Sequence, residues 1–410
     1  MTKKNLLQII RGALLLFVIA GLSGCIGMPR KPAVPSDQTN QAQIAGMPDI
    51  RYFVDTKEGI KKYLLASQKF EASQPKRVLE DSTSYLSLSG GGDNGAFGAG
   101  LLVGWTKSGT RPEFKLVTGV STGALMAPFA FLGSESDPVL KKLYTDTDQS
   151  NIFVPRNIFS GLMDDSLAID HPLKKLLDIH VTENLLHKIA YEYQVKHRAL
   201  LIGTTDLDAG QPVVWNMGEI AASSDPAALD LFKRVMLASA SVPALFPPVM
   251  FDVFINGQAY QEMHVDGGAS TQVFLYPSSL PVVVDKLVNP SVKKRRAFII
   301  RNDKLSASWA DTQRWSVSIA LRAIEQIINK QGIGDLLQIY ETTKLDGVEF
   351  NLAYIDSDFN QPSQGLFDES YMNALFEYAY SKAVSGYPWV NSLPSYSDGN
   401  KVVDKNPSAQ

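Results

Sequence analysis

Two kinds of apolar pattern alternate along residues 84–385. Short apolar runs bounded by polar or glycine-rich segments predict buried strands at 84–89, 114–118, 199–205, 213–216, 297–301 and 348–355. Longer segments with apolar residues three or four positions apart predict helices at 97–105, 124–132, 182–196, 227–240, 311–330 and 369–384. This alternation predicts an α/β domain of three layers on a central sheet, and about 300 residues are enough to bury its core.

The segments on either side of this domain differ from it in composition. Residues 25–48 are polar and contain several prolines, which predicts a disordered tether. Residues 49–83 have helical spacing from 56 to 74 and are predicted to form a helical segment packed on the main domain. Residues 386–410 contain Pro, Ser and Asn and are predicted to be a flexible tail.

Residues 1–24 have the pattern of a secretion signal. Basic residues at positions 3, 4 and 11 accompany an apolar run, 13–22, that is too short to span a bilayer comfortably. The run ends in Leu-Ser-Gly-Cys, which is similar to a bacterial lipobox and implies lipidation of Cys25. Cys25 is the only cysteine in the chain, so disulfides are not expected. We expect a lipid-anchored envelope protein, and Ile26 favours the outer membrane, facing the periplasm; a signal anchor with an incidental cysteine is the alternative.

Composition adds few limits. The hydrophobic content of 45% and net charge of −3 are ordinary for a globular protein and give no indication of a nucleic-acid partner. The sequence lacks an H-E-x-x-H motif and paired cysteines, so we expect no metal and no other cofactor. A basic run at 293–296 can contact anionic headgroups, but a solvated patch ahead of a strand is the favoured interpretation. The oligomeric state is not predicted.

Residues 119–123, Gly-Val-Ser-Thr-Gly, fit the pattern G-x-S-x-G between a predicted strand and a predicted helix. In that setting the serine stands on a sharp turn at the C-terminal edge of the sheet, which makes Ser121 a candidate nucleophile. Gly119 and Gly123 keep the turn free of side chains that would crowd the strand or the helix.

A glycine-rich loop precedes this motif and a carboxylate follows it. Residues 90–96 read Gly-Gly-Gly-Asp-Asn-Gly-Ala, and their bare N–H groups can hold an anion such as a phosphate or an ester oxyanion. The loop also fits the G-x-G-x-x-G pattern of nucleotide-binding proteins, with Glu113 as the acidic residue. Downstream, Asp266 ends a predicted strand directly before Gly267 and Gly268.

In chain order, the glycine loop, G-x-S-x-G and Asp-Gly-Gly resemble the patatin-like phospholipase family, and residues 238–248 are similar to its segment ahead of the aspartate. The resemblance implies a three-layer α/β/α fold with a central mixed sheet, and a Ser121–Asp266 dyad that forms an acyl-enzyme without a cofactor. It also implies an oxyanion hole in the loop residues Gly90, Gly91, Gly92, Asn94 and Gly95. The family often has Arg or Lys where this chain has Asn94, so a positive charge is missing there.

A histidine base is the alternative to the dyad. Only His264 lies near a motif, two residues before Asp266, where both side chains are expected on one face of a strand. A triad needs the histidine between serine and carboxylate, whereas neighbours on one strand stand side by side. We therefore predict that His264 is a strand residue or a minor contact of the site. The remaining histidines are predicted to be surface or core residues: His171, His180, His187 and His197.

The resemblance and the signal segment thus predict a membrane-anchored serine esterase that hydrolyses acyl esters of phospholipids, lysophospholipids or related lipids. Two alternatives stay open. One is a catalytically silent envelope lipoprotein that binds lipid or scaffolds a complex. The other is a hydrolase of small acyl esters or thioesters, whose activity would not rise at a lipid interface.

Overall fold

The computed structural model describes residues 28–72, 82–157, 164–276, 294–306 and 309–393. The chain divides into a short unit, residues 1–32, and a large unit, residues 33–410, which holds every element named below. Among the described residues, no helix combines the length and apolar character that a bilayer crossing requires. The predicted signal segment and Cys25 lie outside the described residues.

Nine strands form one mixed sheet in the described part of the chain. They are Arg51–Phe53 (β1), Ser82–Leu88 (β2), Leu116–Val120 (β3), Ala199–Asp206 (β6), Gln211–Asn216 (β7), Val249–Ile255 (β8), Gln258–Asp266 (β9), Lys294–Arg301 (β10) and Glu349–Tyr354 (β11). Two further short strands, Val154–Pro155 (β4) and Ala168–Ile169 (β5), form a separate two-stranded sheet. The main order of the large sheet is β1-β7-β6-β3-β2-β10-β11, with β9 paired to β6 and β8 paired to β9. Strands β2, β3, β6, β10 and β11 pair in parallel, whereas the pairings of β1, β7, β8 and β9 are antiparallel.

Helices cover both faces of this sheet, as β10 illustrates. Phe298 and Ile300 pack into a core shared with α2, α3, α9 and α11, whereas Ala297 and Ile299 pack into a second core that contains α10. The predicted three-layer α/β/α fold is therefore confirmed. The described helices are Lys57–Ala72 (α1), Gly95–Lys107 (α2), Thr122–Leu132 (α3), Asp137–Thr145 (α4), Gln149–Ile152 (α5), His171–His180 (α6), Glu183–Gln194 (α7), Met217–Ala222 (α8), Ala228–Ser239 (α9), Ser316–Asp346 (α10) and Glu369–Val384 (α11).

Helix α10 is longer than the sequence predicts. The predicted helix 311–330 begins at Ser316 and continues to Asp346. Two glycines, Gly332 and Gly334, follow the predicted end and lower the helix propensity there. Burial of Leu336 and Ile339 in the second core outweighs that propensity, so the helix continues.

The predicted disordered tether is wrong for residues 33–48. Val34 and Ala42 are buried against Val253 and Ile255 of β8, and Gln43 forms a β-bridge with Phe254. Within the described residues β9 is the only strand beside β8, so this segment covers an open edge of the sheet. The average composition of the segment is polar, but its few apolar residues are enough to pack it against β8.

The predicted flexible tail is wrong for residues 386–393. Val390 forms a β-bridge with Leu352 of β11, at the opposite edge of the sheet. The Trp389 ring lies 4.8 Å from the Trp105 ring and 4.9 Å from the Phe298 ring, measured between centroids. The rest of the predicted tail, residues 394–410, lies outside the described residues.

Candidate active site

Ser121 occupies the turn between β3 and α3 and has the strained backbone that its motif predicts. Its φ is 56° and its ψ is −127°, a region that side chains other than glycine rarely adopt. A Cβ on Gly119 would lie 2.5 Å from the Gly123 carbonyl oxygen, and one on Gly123 would lie 2.3 Å from the Leu88 carbonyl oxygen. The two motif glycines are therefore required by close backbone contacts.

Strand β6 brings the serine and the aspartate together. The first half of β6 pairs with β3 and ends with Gly203 opposite Val120, the residue before Ser121. The second half pairs with β9 and begins with Thr204 opposite Asp266. Because Gly203 and Thr204 are consecutive, the end of β3 and the end of β9 meet on the same edge of β6.

The Asp266 carboxylate is buried beside Ser121, with 2% of the residue exposed. Its Oδ1 accepts a 2.7 Å hydrogen bond from the Gly268 N–H, whereas Oδ2 has no well-aligned partner among the described residues. Burial raises the pKa of Asp266 to about 7, against the lowering effect of the Ser121 hydroxyl and the Gly268 N–H. A carboxyl with this pKa can exchange a proton with the serine near neutral pH.

Residues 239–241 hold both halves of the dyad, a role that the sequence did not reveal. The Ser239 hydroxyl accepts a 3.0 Å hydrogen bond from the Ser121 N–H and donates one of 2.6 Å to the Gly203 carbonyl. The Ser241 carbonyl accepts a 2.8 Å bond from the Asp266 N–H. The similarity of residues 238–248 to the family was the only signal for these contacts.

The glycine loop offers fewer free donors than predicted. The Gly90 N–H donates to the Gln272 carbonyl at 3.1 Å, and the Asn94 N–H donates to the Gly91 carbonyl at 3.1 Å. The Gly95 N–H is bonded to loop carbonyls. Gly90, Asn94 and Gly95 are therefore not backbone donors for an oxyanion, whereas the Gly91 and Gly92 N–H groups have no acceptor among the described residues.

The side chain of Asn94 also serves the fold. Its Oδ1 accepts a 2.6 Å hydrogen bond from the Tyr371 hydroxyl of α11. Its neighbour Asp93 accepts from the Phe367 N–H at 3.2 Å, and burial raises the pKa of Asp93 to about 6. Asn94 therefore ties the loop to α11 at the position where the family often carries a cation.

His264 belongs to a buried network behind the dyad. Its Nδ1 lies 2.9 Å from the Thr204 hydroxyl and its Nε2 lies 3.2 Å from Glu262. Glu262 also accepts hydrogen bonds from both terminal nitrogens of Arg51, one of them 2.8 Å long. The guanidinium already neutralises Glu262, so the grouping of Asp206, Glu262 and His264 does not require a metal.

The nucleotide-binding alternative does not fit this geometry. Glu113 precedes β3, whereas the glycine loop follows β2, and the two strands are parallel. Glu113 therefore lies at the opposite end of the strands from the loop. There it comes within 3.8 Å of Lys196 and Arg198.

Two cavities are lined by sequence neighbours of the dyad. One of about 240 Å³ is lined by Val120 and Gly267 and by both apolar and polar residues of the loop after β9 and of α10, among them Phe274 and Asp335. A smaller one of about 50 Å³ is lined by Thr122, the residue after the serine, and otherwise mostly by apolar side chains such as Phe129 and Met236. The smaller cavity is therefore suited to an apolar group, whereas the larger one also presents polar groups.

Of three comparisons with known proteins, one identifies a domain that contains this site. Residues 86–277 match the family model for patatin-like phospholipases. Among solved structures, the crystal structure of VipD from Legionella pneumophila is 11% identical, with a TM-score of 0.36 over 75% of this chain and 67% of that chain. That likeness is too low to add to the family match, and no curated protein matches. Residues 86–277, a little under half of the chain, therefore form a patatin-like phospholipase domain.

Proposed function

We propose that this protein is a lipid acyl hydrolase that uses Ser121 and Asp266 as a dyad. The observation that carries the proposal is the pairing of β3 and β9 with consecutive residues of β6, which sets the serine beside a buried carboxylate. The match of residues 86–277 to the family model for patatin-like phospholipases supports hydrolysis of acyl esters in general. The contacts of His264 with Thr204 and Glu262 support a mechanism in which it is not the base.

In the proposed reaction, Asp266 accepts the proton of the Ser121 hydroxyl while Oγ bonds to the ester carbonyl carbon. The same proton then passes to the leaving alcohol, a transfer favoured by a pKa of about 7. The free N–H groups of Gly91 and Gly92 stabilise the oxyanion that develops on the carbonyl oxygen. The product is an acyl group on Ser121, which water later removes.

The smaller cavity supports a lipid as the source of the acyl group. It is lined by Thr122, the residue after Ser121, and otherwise mostly by apolar side chains, which favours an apolar chain close to the serine. We propose phospholipids, lysophospholipids or related lipids as the substrate class.

Membrane anchoring completes the proposal and rests on the sequence alone. Residues 22–25, Leu-Ser-Gly-Cys, support lipidation of Cys25, and Ile26 supports the outer membrane. We expect Cys25→Ser to abolish incorporation of a labelled fatty acid and to release the protein from the membrane fraction or block its processing. Unchanged acylation and membrane binding of the variant would rule out this anchor.

Labelling with a fluorophosphonate probe tests the dyad directly. We expect one adduct on the full-length protein, located by mass spectrometry at Ser121 and absent in Ser121→Ala. Asp266→Ala should label far more slowly, whereas Ser134→Ala, which changes an exposed serine, should label normally. Absence of labelling in folded wild-type protein would instead favour a non-catalytic lipid-binding lipoprotein.

A further inference from the structure

Two buried side-chain oxygens near Ser121 lack a well-aligned hydrogen-bond partner among the described residues: Asp266 Oδ2 and Gln272 Oε1. The proposed base accounts for the first, but nothing in the dyad mechanism uses the second. Gln272 is only 8% exposed. Because an unpaired buried amide oxygen costs free energy, a group of this kind at a reaction centre indicates a ligand that is bound during turnover.

The Gln272 amide lies beside both members of the dyad. A Cβ placed on Gly90 would be 2.1 Å from Gln272 Oε1 and 3.0 Å from Ser121 Cβ. A Cβ placed on Gly268 would be 3.1 Å from Asp266 Oδ1 and 3.2 Å from Gln272 Oε1. The amide oxygen is therefore situated between the glycine loop and the Asp-Gly-Gly turn, where it and the carboxylate converge.

Three contacts fix Gln272 in this position. Its N–H donates a 2.6 Å hydrogen bond to Asp335 Oδ2 of α10, and its carbonyl accepts the 3.1 Å bond from the Gly90 N–H. Gly332 of α10 leaves room for the side chain, because a Cβ there would lie 2.9 Å from Gln272 Cγ. The amide is thus pre-organised by its backbone and by α10.

We propose that Gln272 Oε1 and Asp266 Oδ2 together bind the water that releases the acyl group from Ser121, an inference that rests on the proposed function. A water molecule has two O–H groups, and each oxygen accepts one of them. The lone pairs of the water then face the acyl carbon. Gln272 acts as a positioning residue in this arrangement, and Asp266 is the base.

The step balances without a further reactant. The water oxygen bonds to the acyl carbon while one of its protons passes to Asp266. The bond between the acyl carbon and Ser121 Oγ then breaks, and Asp266 returns the proton to Oγ. The products are the free fatty acid and the serine hydroxyl.

Pre-steady-state hydrolysis of a p-nitrophenyl acyl ester by the full-length protein separates acylation from deacylation. In Gln272→Leu, we expect the burst of p-nitrophenol and the fluorophosphonate labelling rate to stay within about twofold of wild type. The later steady-state rate should fall about tenfold, the effect of losing one hydrogen bond. Intact mass should then show acylated Ser121 accumulating.

A second variant, Gln272→Glu, keeps an acceptor of the same shape and should restore deacylation in part. It tests the proposal if the leucine variant does not fold.

A matched control separates this role from support of the fold. Gln331 donates a 2.9 Å hydrogen bond to Asp335 Oδ1 from the exposed side, so Gln331→Leu disturbs the same aspartate without removing the amide near Ser121. We expect both rates to be unchanged in that variant. Equal slowing of acylation and deacylation in Gln272→Leu would overturn the proposal. Slowed deacylation with normal acylation in Gln331→Leu would overturn it too. A wild-type protein with neither burst nor labelling would contradict the proposed function instead.

Discussion

Replacing Asp266 by asparagine should make the protein inactive and more stable. Burial raises the pKa of Asp266 to about 7 from 3.8, so the folded state binds a proton that the unfolded state has already lost above pH 4. The stability of the wild type therefore falls as the pH rises from about 4 to 7, and the loss is complete above pH 7. At 1.36 kcal/mol per pKa unit, a shift of about three units corresponds to about 4 kcal/mol. Asparagine has no charge to bury and keeps an acceptor for the Gly268 N–H.

Denaturant unfolding of wild type and Asp266→Asn at several pH values between 4 and 8.5 measures this difference. We expect nearly equal free energies of unfolding at pH 4 and a gain of about 4 kcal/mol for the variant at pH 8. Asp230→Asn, a change at an exposed aspartate, should alter stability by less than about 0.5 kcal/mol at every pH. A gain for Asp266→Asn that does not change with pH would refute the buried-carboxylate reasoning.

Three further predictions concern the site. Hydrolysis measured as kcat/KM should rise with pH through about 7, because the base form of Asp266 appears there; a flat profile from pH 5 to 9 would exclude Asp266 as the base. Gly123→Ala should lose at least about 2 kcal/mol of stability and most fluorophosphonate labelling, because its Cβ would meet the Leu88 carbonyl at 2.3 Å; a normal melting curve with normal labelling would contradict this. Asn94→Arg should change activity on anionic vesicles by less than about threefold, because the Asn94 side chain is bonded to the Tyr371 hydroxyl and serves the fold; a large increase would reverse that assignment.

The motif residues could be predicted from the sequence because their chemistry is local. The turn at Ser121 needs glycine on both sides, and Asp266 precedes two glycines. Each residue is therefore part of a recognisable motif of a few consecutive residues. Ser239 and Gln272 are not part of such a motif. Their roles depend on contacts with Ser121 and Gly90, which lie more than a hundred residues away in the sequence. Composition also led to the wrong prediction of a disordered tether. Residues 33–48 are polar on average, but they bury a few apolar side chains against an edge strand.

The network behind the dyad explains how β9 keeps its register. A slip of one residue would turn Asp266 away from Ser121, because successive side chains in a strand face opposite sides. The Arg51–Glu262 ion pair is buried, and we expect it to favour the observed register of β9. Arg51→Met should therefore cost about 3–5 kcal/mol by leaving Glu262 unpaired, and adding Glu262→Leu should restore most of that loss. The folded double variant should still label Ser121 more slowly than wild type, because β9 has lost the pair that holds it. Wild-type labelling in the double variant would show that the remaining β9 contacts fix the register on their own.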